Sequence, residues 1–327
     1  MTITRRIAGK AALAAPALLL ARPSLAQGNF PSRAVRIVVP YTPGGVSDIT
    51  ARLIAEPLAA QWGQPVPVEN RAGADGIIGT EVVAKSTPDG HTLALVSVGH
   101  PVNAAYYRLP YDTMRDFSFV TLTTRTPLVI VAGKNFAPST PAELVARAKD
   151  SRAAPVTFAG TGGVVRLAPI LFAQRAGIEL TYVPYRGSTQ AHPDIMAGRV
   201  DIMFDTVPAA LAHIQSGNFK AIATTGAARA PQLPDVPTVG EAFMPGFEAS
   251  TWGMVMGPAN IPAPVLAKLS ADCGAAVMLP DVVARHATLG AEVVRSTPEE
   301  TRRFVQAELE KWGDAARKAG IQPQSAG

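Results

Sequence analysis

The chain has 327 residues, 47% of them hydrophobic and 17% charged, a formal net charge of +5 and a single cysteine, Cys273. That length is past the size at which one hydrophobic core usually divides, and one cysteine excludes an internal disulfide and a thiolate metal cluster. The positive charge does not signal nucleic acid: Arg5, Arg6, Lys10 and Arg22 precede residue 27 with no acid among them, so removing residues 1–26 takes the charge from +5 to +1 and leaves no Lys/Arg cluster.

Residues 1–26 read as a secretory signal peptide. Arg5, Arg6 and Lys10 form a basic front, Ala11 to Leu20 is apolar but too short to span a bilayer, and Ser24-Leu25-Ala26 offers small residues before a cleavage at Gln27. Thr4 to Lys10 also matches part of a twin-arginine signal, so the export route stays open between the two. Strand and helix patterns then alternate. Strands are expected at 35–40, 66–69 and 93–96, with helices at 47–61 and 76–85 between them. The pattern restarts after a strand at 128–132. A helix start with a capping box stands at Thr140-Pro141-Ala142-Glu143, followed by strands at 156–159, 180–183 and 200–204 and helices at 167–176, 190–197 and 210–216. Pro231 to Pro237 reads as an extended connector, 251–257 as a strand, and 262–279, 281–289 and 297–319 as closing helices. This is an α/β chain with a mostly parallel sheet in two lobes. The closing helices need a sheet to pack on, so the chain is expected to return to its first lobe, with crossings near Thr123 to Pro127 and Ser250 to Trp252 acting as a hinge.

Two strands end at a pair of glycines that opens into a helix: Val39-Pro40-Tyr41-Thr42-Pro43-Gly44-Gly45-Val46-Ser47-Asp48, and Phe158-Ala159-Gly160-Thr161-Gly162-Gly163-Val164. Glycine permits positive φ and close approach to the main chain, and a helix's first turn presents unpaired N–H groups with about half a positive charge. Each turn is a place to hold an anion, or simply a strand-to-helix loop in which Ser47 or Asp48 serves as a cap. One such turn in each half points to two lobes gripping one acidic small molecule. His91, His100, His192, His213 and His286 show no metal-ligand spacing, and no phosphate loop or nucleophile elbow is present. Ser97, His100 and Asp48 form a catalytic triad only on paper, with no elbow to support it. Cys273 lies in an apolar run and reads as a small buried hydrophobe.

Taken in series, Pro40 to Asp48, Glu69 to Gly76, Pro88 to Leu93, Leu109 to Asp112, Val183 to Ser188, Met203 to Asp205 and Asp235 to Thr238 resemble the signature stretches of the tripartite tricarboxylate transporter substrate-binding proteins, the Bug-type receptors. The resemblance runs over the whole chain after residue 26. It implies a two-lobed periplasmic binding protein of type II-like fold, with lobe one at 27–124 and 252–327, lobe two at 125–251, two crossover strands and a cleft between the lobes. It further implies a monomeric periplasmic receptor that binds a small carboxylate, without cofactor, metal or nucleic acid, and delivers it to a two-component membrane permease. Carried over, the ligand site comprises Thr42, Gly44, Gly45, Ser47, Asp48 and Ser97 in lobe one, and Thr161, Gly162, Gly163, Tyr185, Gly187 and Asp205 in lobe two. One departure stands out. Where relatives have hydroxyl residues and then His-Leu-Ala-Gly-Glu, this chain has Val164-Val165-Arg166-Leu167-Ala168-Pro169-Ile170. Arg166 either contacts the ligand, with the valines sheltering an apolar ligand body, or points to solvent or pairs with a neighbouring acid. His192 reads as a surface residue at a helix start. Two other functions use the same cleft: an exported hydrolase or lyase acting on a small carboxylate, and a ligand-sensing subunit for a membrane kinase.

Overall fold

The computed structural model describes residues 30–161 and 163–325. The expected signal peptide and Gly162 lie outside the described residues. In chain order the first part comprises β1 (Arg36–Val39), α1 (Val46–Trp62), β2 (Val68–Asn70), α2 (Ile77–Ala84), β3 (Thr92–Ser97), α3 (Gly99–Tyr106), β4 (Tyr107–Arg108) and the long β5 (Phe117–Gly133). The middle comprises α4 (Pro141–Lys149), β6 (Thr157–Gly160), α5 (Gly163–Ala176), β7 (Thr181–Pro184), α6 (Ser188–Met196), β8 (Ile202–Thr206), α7 (Val207–Gln215), β9 (Phe219–Thr224) and α8 (Val239–Ala242). The chain closes with β10 (Ser250–Pro258), α9 (Ala263–Val277), α10 (Pro280–Thr288), β11 (Glu292–Val293), α11 (Pro298–Lys318) and β12 (Gln324–Ser325), the last paired with β4.

The expected α/β alternation is present and the strands build two matching halves. In the first, β2, β1 and β3 are parallel neighbours and β10 lies antiparallel against β3. In the second, β7, β6 and β8 are parallel neighbours and β5 lies antiparallel against β8, with β9 on its other side. β5 belongs to both halves. Its residues 117–127 pair antiparallel with β10, and its residues 128–133 pair with β8 and β9. The two crossings are therefore adjacent hydrogen-bonded strands, with Pro127 opposite Ser250 in register.

Three apolar clusters hold this arrangement. One face of the first half packs Ile37, Val39, Leu58, Leu95, Val255 and Cys273, all fully buried. One face of the second half packs Val129, Met203 and Ala210. The largest cluster joins both halves: Val96 and Trp252 from the first meet Phe158, Leu167 and Phe204 from the second, beneath Trp312 of α11. The indoles of Trp252 and Trp312 both donate to Oε2 of buried Glu308 at 2.9 Å, tying a crossing strand to α11. Burial pushes the Cys273 thiol up to about 12, so it stays protonated inside the core, as its apolar surroundings suggested.

Local chemistry explains most boundaries. Thr297 and Glu300 form a reciprocal capping box at the start of α11. At α4, Thr140 accepts from the Glu143 amide at 3.2 Å, but the Glu143 carboxylate reaches back to the Ser139 amide at 2.7 Å, so only half of the expected box forms. Besides the short β4, α8, β11 and β12, three stretches carried no expectation from the sequence: α3, β9, and β5 ahead of its crossing at 123–127. The first half of β5 is rich in threonine, and its Thr121, Thr123, Thr124 and Thr126 are buried although they read as polar. α3 opens with Gly99 and carries Pro101, both of which read as breakers, yet Pro is tolerated in a helix's first turn. β9 follows directly on the turn at Gly217, and pairing with β5 buries Phe219, Ile222 and Ala223.

Candidate ligand site

The site residues gather where the parallel strands end. β1 and β3 of the first half, and β6, β7 and β8 of the second, all run their carboxyl ends into loops that start helices, which is where open α/β sheets bind ligands. After β1 the chain turns outward, leaving Thr42, Gly44 and Gly45 exposed and Ser47 half-buried at the start of α1. Gly44 has φ +89°, which favours glycine, whereas Gly45 is the N-cap in an extended conformation with no side-chain cap.

Asp48 braces this loop from below. It is 4% exposed, and its carboxylate accepts from the Gly44 amide (2.9 Å), Arg52 Nε (3.1 Å) and Asn70 Nδ2 (3.0 Å). Burial alone would raise its carboxyl, but Arg52, the Gly44 amide and Asn70 together hold it below the ordinary range. The Gly44 N–H is thereby occupied, and the unpaired amides at this terminus are those of α1's own first turn. Asn70 also donates to the Tyr41 carbonyl at 3.1 Å, linking β2 to the loop. Ser97 plays a comparable part after β3: its hydroxyl donates to Tyr41 Oη at 2.8 Å and accepts from the Gly99 amide at 3.3 Å.

In the second half, Gly160 ends β6 against the Tyr182 ring, 2.8 Å from where a Cβ would stand. Thr161 is half-buried, and Gly163, at φ +53°, opens α5 with empty space on its Cβ side. The first turn of α5 contains no acid and carries Arg166. Its guanidinium lies 4.5 Å from the Tyr182 ring centroid and 5.5 Å from that of Tyr106 at the end of α3, and its buried Nε has no partner among the described residues. Neither the solvent-facing nor the acid-paired alternative matches: Arg166 is half-buried between two aromatic rings, one from each half. Val164 is 5% exposed and packs in the shared core, so it does not shelter a ligand; Val165 is half-buried.

Tyr185 donates to Asp194 at 2.5 Å, and Gly187 caps α6 with open space beside it. Asp205 is fully buried at the end of β8. Its carboxylate receives Ser188 Oγ (2.8 Å), the Thr206 amide (2.8 Å) and His192 Nε2 (2.7 Å). His192 is thus no surface residue: it is 4% exposed, because α6 turns it inward onto Asp205 and the Phe219 ring. Sequence reasoning missed His192, Tyr41, Asn70, Ser188 and Tyr106. Tyr41, Asn70 and Ser188 stand inside family-like stretches, and that was the signal available; nothing in the sequence pairs His192 with Asp205 or Tyr106 with Arg166.

Neither serine belongs to a hydrolytic triad. At Ser188 the carboxylate stands between serine and histidine, whereas a triad needs the histidine in the middle to take the serine proton. In the paper triad of Ser97, His100 and Asp48, Ser97 bonds Tyr41 and Asp48 bonds the Gly44 loop. His100 Nε2 bonds the Thr113 carbonyl at 3.0 Å, and burial lowers its imidazole to about 4. Among the described residues no group of three or more His, Cys, Asp or Glu side chains is placed to hold a metal ion, and no helix is long and apolar enough to cross a membrane.

Two lobes joined by two adjacent strands, with glycine-opened helix termini at the facing strand ends, define a two-lobed binding protein. The family model for the tripartite tricarboxylate transporter family receptor matches residues 50–321, and the chain belongs to that family of solute-binding receptors. It is 41% identical over 287 residues to a UPF0065 protein of Pseudomonas sp. strain P51 encoded between tcbD and tcbE, covering 86% of this chain and 85% of that one. A Rhodopseudomonas palustris protein solved with adipate is 32% identical with a TM-score of 0.73, covering 90% of this chain and 100% of that chain. MatC of the same organism, solved with bound malate, is 34% identical with a TM-score of 0.70, covering 88% of this chain and 100% of that chain.

Proposed function

We propose that this protein is a periplasmic receptor that captures a small carboxylate between its lobes and presents it to a two-component membrane permease. The observation that carries the reading is the pair of glycine-opened helix termini at α1 and α5, where an added Cβ at Gly44 or Gly163 would meet no atom of the described residues within 4 Å. Space is left there for a ligand to approach the main chain, and the missing acid in α5's first turn leaves that terminus positive. In this reading Thr42, Gly45, Ser47, Thr161, Gly163, Arg166 and Gly187 line the cleft. Gly44, Asp48, Ser97, Tyr185 and Asp205 shape it through the hydrogen bonds described above. Lobe one comprises 27–124 and 252–327 and lobe two 125–251, with the boundaries in the paired stretch of β5 and β10. The protein works as a monomer, after removal of residues 1–26.

Adipate and malate in the two related structures are both dicarboxylates, which supports an organic acid as the ligand class. The test is mass spectrometry of small molecules released from native protein, then a thermal-shift screen of organic acids including adipate and malate. A ligand at 100 times its Kd stabilises by about 2.7 kcal/mol and raises the melting temperature accordingly. Recovery of no acid, and no shift with any acid at millimolar concentration, would overturn the reading. Chemical conversion of a recovered acid on incubation would favour the hydrolase or lyase instead.

A further inference from the structure

A cavity of about 570 Å³ lies beside the two crossing strands, apart from the glycine-opened termini. Arg125 and Pro127 of β5, Ala228 after β9, and Met278, Val283 and Ala287 at the α9–α10 corner are on its wall; none of the cleft residues named above is. The wall is mostly apolar, and the volume falls within the range of about 300 to 1,000 Å³ typical of small-molecule sites. Met278 is 44% and Val283 38% exposed, with neighbouring Leu279 at 40%, so three of the six large exposed hydrophobics among the described residues gather here.

The polar group at this wall is incompletely matched. Arg125 Nε is shut off from solvent without a partner among the described residues, and the nearest described carboxylate, Glu248, stands 3.5 Å from its NH1, longer than the roughly 2.7–2.9 Å of a charge-assisted hydrogen bond. Its guanidinium plane rests on Phe304 at 5.4 Å. The other charges nearby are Arg229, already bonded to Glu241 at 2.9 Å, and exposed Glu292, which is opposite Arg125 in register. Both lobes form the cavity: Gln232 donates to the Ala287 carbonyl at 3.3 Å across it, and Pro208 approaches Gly290 to within 2.8 Å of a Cβ position.

We propose that this cavity is a second small-molecule site, for an amphipathic monoanion with an apolar body against Pro127, Ala228, Met278, Val283 and Ala287 and one carboxylate or sulfonate held by Arg125. The anion draws the guanidinium away from its loose pair with Glu248. The site stands on its own geometry and not on what the main cleft holds.

The probes are 8-anilinonaphthalene-1-sulfonate, which has the required shape and charge, and the uncharged N-phenyl-1-naphthylamine, titrated by fluorescence into the chain from Gln27 onward. The sulfonate should saturate at about one per chain, and Ala287→Phe and Ala228→Phe, each filling the cavity from an exposed position, should each weaken it by about tenfold or more. Arg125→Gln should weaken the sulfonate by about tenfold and the uncharged probe by less than about threefold. Near-ultraviolet circular dichroism confirms that the variants are folded. Absence of saturable sulfonate binding, or affinity unchanged in both filling variants, overturns the site. Equal loss of both probes in Arg125→Gln overturns the assignment of a monoanion.

Discussion

Gly45→Val separates ligand capture from folding. Gly45 has φ −76° and ψ 166°, a conformation open to any residue, and the nearest atom to an added Cβ is the Thr42 carbonyl oxygen at 4.0 Å. Valine there costs the fold on the order of 1 kcal/mol or less, the loss of a favourable N-cap. The other loop glycines are poorer tests: at φ +89° for Gly44 and +53° for Gly163, a side chain adds backbone strain of about 1–2 kcal/mol. A valine at 45 places two methyl groups in front of α1's first-turn amides. If the carboxylate takes two charge-assisted hydrogen bonds there, each is worth about 1.5–3 kcal/mol, and blocking both weakens binding by more than about a hundredfold. Isothermal titration of the processed chain with the acid recovered from native protein reads this directly. The melting temperature of the unliganded variant should stay within about 4 °C of the parent. Binding within threefold of the parent in a folded Gly45→Val protein would refute the amide clamp and reduce the first loop to a connector.

Three further outcomes follow from the site and its supports. Arg166→Gln and Arg166→Ala should each lose about thirtyfold or more in affinity, on the scale of 2–5 kcal/mol for a desolvated charge partner, with the loss shrinking as salt rises; near-parental binding in both would confine Arg166 to bridging Tyr106 and Tyr182. His100, lowered from 6.5 to about 4, takes up its proton in the unfolded chain first, so its contribution is full above pH 6.5 and is lost as pH falls towards 4, by about 3 kcal/mol in all; urea titrations at pH 7.5 and 4.5 should show a smaller difference for His100→Asn, and an equal difference would refute the assignment. His192→Ala strips a partner from the buried Asp205 carboxylate and should cost about 3–5 kcal/mol of stability. In a double-mutant cycle with Asp205→Asn the losses should be strongly non-additive, and simple additivity would show that the pair does not act as a unit.

The sequence made the frame legible because the frame is periodic. Ile37 to Val39 and Ile202 to Phe204 are apolar runs whose burial matches their reading, and the two glycine pairs announce turns that φ values at Gly44 and Gly163 require. The threonines of β5 defeated that logic, since their hydroxyls read as polar while the crossing strand buries them. At the site, residue types were readable but partners were not. Asp48 and Ser97 stand at the expected strand ends, yet their bonds go to Gly44, Asn70 and Tyr41. The Gly44 bond is local, but Asn70 to Asp48 and Ser97 to Tyr41 join distant segments that only the folded register brings together. His192 shows the same limit, because position 192 before a proline carries no local sign of the carboxylate that β8 brings to it.

The pairing of Pro127 with Ser250 makes the second lobe an insertion with its two ends side by side. The Thr225 hydroxyl donates to the Ala249 carbonyl (2.5 Å) and accepts from the Leu128 amide (2.9 Å), so the segment is stitched shut at its own base. Neighbouring strands are only about 4.8 Å apart. A two-residue hairpin turn is therefore enough to rejoin β5 to β10 once residues 128–249 are removed, and the excised segment keeps ends near enough to be circularised. The strand pairing of the first half, β10 against β3 and against residues 117–127 of β5, thus closes without any hydrogen bond from the inserted segment, whereas the shared core around Trp252 does not.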